Sequence, residues 1–132
     1  MAKLPHRPQG QKQKVAAPRR GEIYLGSFDP AVGHEIRKTR PALVIQNDIG
    51  NRYSPLTIVA AITSAVSEVP YPVEVAIEPT TGNGLDALSS IRLDQIRTVD
   101  RQRLVRRLGV VDSATMAMVD EAIKISLALV NL

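Results

Sequence analysis

The chain has 132 residues, no cysteine, four aromatic residues and a formal charge of +4. A chain of this length can bury one hydrophobic core, so we predict a single folded domain. The lack of cysteine excludes disulfides, zinc knuckles, iron–sulfur ligation and a thiol nucleophile, and fits a reducing compartment. With His6 and His34 as the two histidines, we expect no histidine-based metal site. No apolar stretch approaches the ~20 residues of a membrane helix and the N-terminal segment lacks the apolar core of a secretory signal, so we expect a cytoplasmic protein without a membrane partner.

The positive charge lies in the N-terminal segment. Residues 1–20 carry six basic and no acidic side chains, whereas residues 21–132 carry 11 basic and 13 acidic ones, a net charge of −2. The segment also contains three prolines and no apolar periodicity, so we predict a disordered basic arm over residues 1–19 and a folded domain over 20–132. Such an arm is either a weak, salt-sensitive nucleic-acid attractant or a solubilising extension.

Short β-branched runs separated by turn signals follow the arm, and this pattern is typical of a mostly β domain. The predicted strands are Glu22–Phe28, Pro41–Gln46, Leu56–Thr63, Pro72–Ile77, Ser90–Leu93 and Val105–Val110. Glycine-containing turns are predicted over Asn47–Asn51 and Pro79–Gly84, where glycine can adopt positive φ.

A helix is predicted after the last strand. Asp112 or Ser113 is expected to cap its N-terminus, and the helix is expected to continue to about Val130. One face is expected to carry Ala114, Ala117, Met118, Ala122, Ile125 and Leu129. The pattern therefore predicts an α+β fold, mostly β, in which about six strands form a small curled sheet or barrel covered by a C-terminal helix.

The connection from Asp29 to Thr39 is the longest irregular segment and concentrates polar side chains. It contains His34, Glu35, Arg37 and Lys38, and ends at Arg40. Arginine offers a planar fork and lysine a point charge to phosphate oxygens, so a phosphate-containing ligand would suit this loop. A solvated charged loop is the alternative.

Three other kinds of site lack their required residues. A His-Glu-x-x-His metalloprotease motif would need a second histidine where Lys38 stands. Gly82-Asn83-Gly84 is too short for a phosphate-binding glycine loop, and we interpret it as a turn. The chain contains no Gly-x-Ser-x-Gly, the motif that presents a serine nucleophile in hydrolases.

Five blocks of the sequence resemble, in order, the motifs of the MazF/PemK toxins, the endoribonucleases of type II toxin–antitoxin systems. The blocks are Arg20–Tyr24, Pro30–Glu35, Arg40–Asp48, Ala60–Ser64 and Leu93–Thr98. The resemblance implies a homodimer of SH3-like (CcdB/PemK-type) barrels that cleaves single-stranded RNA at short sequences, with no metal or cofactor. It also implies a cognate antitoxin whose acidic C-terminal segment occupies the RNA groove.

The resemblance also implies site residues. Arg40 matches the family's catalytic arginine and Thr63 its catalytic threonine. Residues of the matching blocks that are expected to bind RNA are Gly33, Glu35, Arg37, Lys38, Ser64, Asp94, Gln95 and Arg97. The chain departs from the family's pattern at His34, at residues 37–39 of the loop and at Asp94, and the last two departures bear on which RNA sequence is cleaved.

Several roles stay open. His34, with a reference pKa near ~6.5, is expected either to contact RNA or to act as an acid or base. The candidate stacking residues for RNA bases are Tyr24, Phe28, Tyr53 and Tyr71, each of which also suits a core or rim position. One positive patch is expected from Arg92, Arg97, Arg101, Arg103, Arg106 and Arg107, serving RNA, an acidic antitoxin segment or solvation alone. The rival function is a non-catalytic CcdB-like toxin that binds a protein such as DNA gyrase.

Overall fold

The computed structural model describes residues 16–28 and 38–131. Its elements are β1 (Glu22–Gly26), β2 (Arg40–Val44), α1 (Asp48–Tyr53), β3 (Leu56–Thr63), β4 (Glu74–Ile77), β5 (Ser89–Asp100), a 3-10 turn (Arg101–Arg103), β6 (Leu104–Val110) and α2 (Ser113–Ser126). The six strands form one antiparallel sheet in the order β4-β5-β3-β2-β1-β6. The predicted mostly β fold with a C-terminal helix is confirmed. None of the described helices is long and apolar enough to cross a membrane.

The sheet curls without closing, so the predicted barrel is more accurately an open, strongly curved sheet. The strands β4 and β6 lie at its two edges. Curvature brings the end of β6 against the turn that follows β4, where the Val110 N–H donates to the Gly82 carbonyl at 2.9 Å. Gly84 in that turn has a φ of +71°, and a Cβ there would lie 2.1 Å from the Leu108 carbonyl oxygen. Glycine is therefore required where the turn after β4 packs against β6.

The two faces of the sheet carry different side chains. Alternation along the strands directs Ile23, Leu43, Ala60, Ile62, Ile91 and Leu93 toward one face, where they form the main core with Val119 and Ala122 of α2. We call this the helix face. The other face carries a smaller apolar cluster of Phe28, Ala42, Val44, Val59, Val99 and Leu104. We call it the cleft face, because it forms much of the lining of one of the two clefts described below.

The side of the C-terminal helix that packs on the sheet agrees only in part with the predicted face. Asp112 is the N-cap and accepts a hydrogen bond from the Thr115 N–H at 2.7 Å, as expected. The buried residues are Val119 and Ala122, with Met116 and Ile123 packed beside them, whereas Ala114, Ala117 and Met118 are exposed. The helix ends at Ser126, so exposed Leu129 lies beyond it. Ala122 is thus buried as predicted and Ile125 is half-buried, but Ala114, Ala117 and Met118 were wrongly assigned to the packed face. Small apolar residues surround most of this helix, and the contact with β4 and β5 selects between them.

A short helix replaces the first predicted turn. The Asn47 side chain accepts a hydrogen bond from the Gly50 N–H at 2.7 Å and caps α1, and Gly50 is helical rather than at positive φ. Buried Asn51 then joins α1 to β3 by accepting a hydrogen bond from the Thr57 hydroxyl at 2.7 Å.

Five of the predicted strands lie within one or two residues of the observed boundaries, and β3 matches at both ends. The exception is β5, which continues to Asp100 rather than ending at Leu93. Its polar second half has no apolar alternation, but backbone pairing with β3 from Ile96 to Asp100 holds it in the sheet.

Arg20 attaches the N-terminal segment to both helices. Its backbone N–H donates to Asp48 at 2.7 Å, its Nε donates to the Ile45 carbonyl at 2.8 Å, and its Nη2 pairs with Asp120 at 2.6 Å. The hydrogen bond from the Arg20 amide is the main reason why the pKa of Asp48 lies below its usual value. Of the predicted arm, residues 1–15 lie outside the described residues, and Pro18 is fully buried.

Candidate functional site

Arg40 and Thr63 lie side by side on the cleft face. The pairing of β2 with β3 runs from Ala42 opposite Ala61 to Val44 opposite Val59. Arg40 begins β2 two residues before Ala42, and Thr63 ends β3 two residues after Ala61, so each shares a strand face with the paired alanine of its own strand. Both residues line the same two clefts. Arg40 is exposed and Thr63 is half-buried, so the pair lies at the surface end of the two strands.

Two clefts meet at this pair. The first, which we call the β6 cleft, has a volume of about 570 Å³ and is also lined by Ser64, Asp86, Arg106 and Arg107. The second, which we call the β5 cleft, has a volume of about 460 Å³ and is also lined by Phe28, Arg92, Gln95 and Arg97. Four residues line both clefts, namely Arg40, Pro41, Ile62 and Thr63. An extended ligand lying in both clefts would therefore pass over Arg40 and Thr63.

The hydroxyl of Thr63 is oriented by the turn that follows β3. Its Oγ1 accepts a hydrogen bond from the Ala65 backbone N–H at 3.1 Å. Because a hydroxyl has one proton and two lone pairs, this bond occupies an acceptor position and leaves the proton for donation to a ligand.

The structure brings some of the other predicted site residues to the clefts. Ser64 lines the β6 cleft, and Gln95 and Arg97 line the β5 cleft. Lys38 and Asp94 are exposed and are not among the described residues that line either cleft. The predicted residues Gly33, His34, Glu35 and Arg37 lie outside the described residues.

A bulge in β5 brings its polar residues to the cleft. Ala60 of β3 pairs with Ile96, but the next residue, Ala61, pairs with Arg92, so residues 93–95 have no partner on β3. Extra residues on one strand bend it and increase its twist, which redirects side chains. Gln95, within the bulge, and Arg97, just after it, therefore reach the β5 cleft.

Arg92 lines the β5 cleft, although the sequence pattern indicated it only as part of a general basic patch. Its Nε and Nη2 donate to the two carboxylate oxygens of Asp94 at 3.0 and 2.7 Å. Its Nη1 lies 3.6 Å from Oε1 of Glu74, whose side chain is 2% exposed. The hydrogen bonds from Arg92 hold the pKa of the Asp94 carboxyl below its usual value. An arginine and an aspartate two residues apart share a strand face, and this spacing is the signal that would have identified the pair.

The arginines of the expected basic patch divide between the two clefts and two contacts with loops. Arg92 and Arg97 line the β5 cleft, and Arg106 and Arg107 line the β6 cleft. Arg101 donates to the Asn51 carbonyl at 3.3 Å, and Arg103 donates to the Ser27 carbonyl at 3.2 Å. These last two arginines connect loops to the sheet rather than extend the basic surface.

Of the four candidate stacking residues, Phe28 lines a cleft. Its ring packs over Gly26, where a Cβ would lie 2.1 Å from the Phe28 ring. Tyr24 donates its hydroxyl proton to Glu22 at 3.3 Å, and burial is the main cause of its raised pKa. Tyr53 and Tyr71 are exposed and are not among the described residues that line the two clefts.

The fold is an open curved sheet covered by a C-terminal helix, with two adjoining clefts lined in common by Arg40 and Thr63. The chain belongs to the family of PemK-like, MazF-like toxins of type II toxin–antitoxin systems, whose family model matches residues 19–127.

Two relatives of established name are similar to nearly the whole chain. Endoribonuclease EndoA of Bacillus subtilis (strain 168) is 47% identical over 113 residues, which cover 86% of this chain and 97% of the relative. Endoribonuclease MazF of Staphylococcus epidermidis is 45% identical over 113 residues, which cover 86% of this chain and 93% of the relative.

Solved structures bear out the fold. The MazE-MazF structure (Form-II) from Deinococcus radiodurans has a TM-score of 0.73 and 26% identity, over 88% of this chain and 100% of that chain. An endoribonuclease in complex with its cognate antitoxin from Mycobacterial species has a TM-score of 0.68 and 26% identity, over 86% of this chain and 98% of that chain.

Proposed function

We propose that this protein is a sequence-specific, metal-independent endoribonuclease toxin that cleaves single-stranded RNA at the junction of the β5 and β6 clefts. The observation that carries the proposal is the position of Arg40 and Thr63, which line both clefts. The family and its endoribonuclease relatives support a nuclease over a gyrase-binding toxin. The residue pair supports the same choice, because a protein-binding toxin does not need an arginine and a hydroxyl donor in one groove.

Cleavage proceeds through the RNA's own 2′-hydroxyl in this proposal. The 2′-oxygen loses its proton and attacks the adjacent phosphorus, and the bond from phosphorus to the 5′-oxygen breaks. The 5′-oxygen gains a proton, so the products carry a 2′,3′-cyclic phosphate and a 5′-hydroxyl. No external nucleophile or electron carrier is required.

Arg40 and Thr63 stabilise the charge that develops on the phosphate. The guanidinium of Arg40 stays protonated at neutral pH and can contact two phosphate oxygens with parallel N–H donors. The Thr63 hydroxyl, oriented by its hydrogen bond from Ala65, donates to a nonbridging oxygen. Donors that are already oriented before the reaction lower the barrier without reorganising during it.

His34 is the titrating residue that we propose as RNA contact, acid or base, and it lies outside the described residues. The pH–rate profile of His34→Ala distinguishes these roles. Loss of an inflection near the reference pKa of about 6.5 would support an acid or base role. An unchanged profile with unchanged magnitude would exclude it and leave an RNA contact.

RNA is proposed to lie along both clefts, with Ser64 on one side of the scissile phosphate and Gln95 and Arg97 on the other. Single-stranded RNA is recognised through base edges and stacking. The side-chain amide of Gln95 and the guanidinium of Arg97 suit hydrogen bonds to base edges, and the Phe28 ring at the β5 cleft suits stacking with a base. Of the loop, Lys38 is exposed and suits attraction of the RNA backbone.

Two partners are part of this proposal, a second copy of the chain and a cognate antitoxin. Structures of the family include complexes with an antitoxin, and the basic walls of the two clefts suit an acidic C-terminal segment. Exposed apolar residues at the C-terminal end, including Met118, Leu127 and Leu129, supply surface for a homodimer. The proposed compartment is the cytoplasm, where messenger RNA is the substrate.

The activity is tested by incubating the purified protein with a long single-stranded RNA in excess EDTA. Discrete fragments with 5′-hydroxyl ends are expected, and Arg40→Ala prepared in parallel controls for contaminating nucleases. RNA that stays intact with the wild-type protein would contradict the proposal.

A further inference from the structure

The cleft face holds a second polar arrangement beside the proposed catalytic pair. Ala42, Ala61, Arg92 and Glu74 lie opposite one another in a row across β2, β3, β5 and β4. The neighbouring row carries Thr63 opposite Ser90. Arg92 is therefore a diagonal neighbour of Thr63, and such positions are about 7–8 Å apart. The two alanines have short side chains and leave space beside the Arg92 guanidinium.

Two carboxylates fix the guanidinium of Arg92 in orientation and offset its charge. Two of its five N–H donors are taken by Asp94, and Glu74 faces Nη1 at 3.6 Å. The group of three carries a formal net charge of −1. A phosphate would be bound weakly by such a group, whereas the remaining N–H donors suit neutral acceptors such as those on a base.

The burial of Glu74 shows that this arrangement is costly. Its side chain is 2% exposed, and among the described residues its Oε2 makes no hydrogen bond. Ser67 reaches its Oε1 at 3.4 Å, which is a weak contact. Burying a carboxylate without full pairing is unfavourable, and an apolar residue would pack more cheaply at this site. The buried Glu74 carboxylate does help to hold the Arg92 guanidinium in position.

We propose that Arg92, oriented by Asp94 and Glu74, determines which RNA base is accepted next to the scissile phosphate. This inference rests on the proposed nuclease function. Two of the three donors that Asp94 leaves unused can match a base edge with two adjacent acceptors, and guanine offers O6 and N7 in that arrangement. Arg92 is thus the residue that contacts the base, and Asp94 and Glu74 are positioning residues.

The test compares base preference at each position around the cut, measured by sequencing the 5′ ends of fragments from a random-sequence RNA. Arg92→Lys keeps the charge but loses the planar fork, and we expect it to reduce selection for guanine at one position by about 5- to 150-fold. Glu74→Gln and Asp94→Asn should relax selection at the same position by less. Arg52→Lys, the same substitution at an exposed arginine on α1, is the matched control and should leave the preference unchanged.

A binding measurement separates base contact from phosphate contact and from failure of the nuclease proposal. Oligonucleotides with a 2′-deoxy substitution at the cut are bound without cleavage, by wild type and by the double variant Glu74→Gln/Arg92→Leu, which avoids leaving a buried charge. Base contact predicts loss of guanine preference with an unchanged salt dependence. Equal weakening for all sequences with a salt slope lower by about 0.7 would indicate a phosphate contact and overturn the inference.

Two further results would overturn it. One is an Arg92→Lys protein with the wild-type base preference, and the other is a wild-type protein that binds all sequences equally. If the wild type cleaves no RNA yet binds with guanine preference that Arg92→Lys removes, the nuclease proposal fails while the base-contact inference stands.

Discussion

The two faces of the sheet use the same strands for different purposes. On β2, Leu43 points into the main core beneath α2, while its neighbour Ala42 and the strand's first residue, Arg40, face the clefts. On β5, Ile91 packs in the core and Arg92 faces the cleft. The helix face is apolar and buried, whereas the cleft face carries a buried carboxylate and exposed arginines. Stability and activity should therefore respond to different substitutions on adjacent residues.

The largest effect should come from the proposed catalytic pair. Arg40→Ala or Thr63→Ala is expected to lower the cleavage rate by about 10²- to 10³-fold, because each removes an oriented donor to the phosphate. The free energy of unfolding should fall by less than it does for truncation of a fully buried core residue, since Arg40 is exposed and Thr63 is half-buried. Single-turnover kinetics and urea denaturation measure the two quantities. Thr63→Ser retains the hydroxyl and should keep most of the rate; a rate as low as that of Thr63→Ala would contradict the role of the hydroxyl.

Leu43→Ala makes the converse change on the same strand. Leu43 is fully buried, so its truncation should lower the free energy of unfolding by about 2–5 kcal/mol. The rate per folded molecule should stay near wild type. Denaturation monitored by circular dichroism, together with active-site titration by RNA, checks the prediction. A loss of rate per folded molecule comparable to that of Arg40→Ala would remove the distinction between the faces.

Acid should weaken the fold through carboxylates with lowered pKa values. The Arg20 amide lowers the pKa of Asp48, and the Thr115 amide lowers that of Asp112. In the unfolded chain these carboxyl groups titrate near ~3.9. Below about pH 4 the unfolded state therefore binds more protons than the folded state, and the free energy of unfolding decreases as the pH is lowered. The two carboxylates contribute their full stabilisation above the unfolded-state pKa. This stabilisation is lost as the pH falls through their lower pKa values in the folded protein.

The double variant Asp48→Asn/Asp112→Asn should flatten this acid dependence, measured by denaturation between pH 2 and 6. Asparagine also caps helices well, so the cap of α2 should persist. A slope equal to that of the wild type would show that other groups control acid unfolding.

The smallest effect is expected from the basic arm. Deleting residues 1–15 removes Lys3, Arg7, Lys12 and Lys14. RNA affinity at low salt should fall modestly and its salt dependence should become shallower, because fewer counterions are released. The cleaved sequence should not change. Fluorescence anisotropy across a salt series measures the effect, and identical slopes for both proteins would reduce the arm to a solubilising extension.

The sequence was most informative where local pattern and pairing agree. Alternation located β3 at both ends, and motif resemblance identified Arg40 and Thr63, which line the same two clefts. Sequence alone failed where long-range pairing decides. The bulge that redirects Gln95, the packing of Val119 on the sheet, and the pairing of Arg92 with Glu74 on β4 all depend on a neighbouring strand or helix.

Replacing one 2′-hydroxyl by hydrogen tests whether the RNA's own 2′-oxygen is the nucleophile. The RNA carries a single cut site, and the substitution is made on the nucleotide whose 2′-oxygen is proposed to attack. We predict that this RNA still binds but is not cleaved, while the unmodified RNA yields a 2′,3′-cyclic phosphate that mass spectrometry detects. Cleavage of the substituted RNA at the same bond would contradict the account.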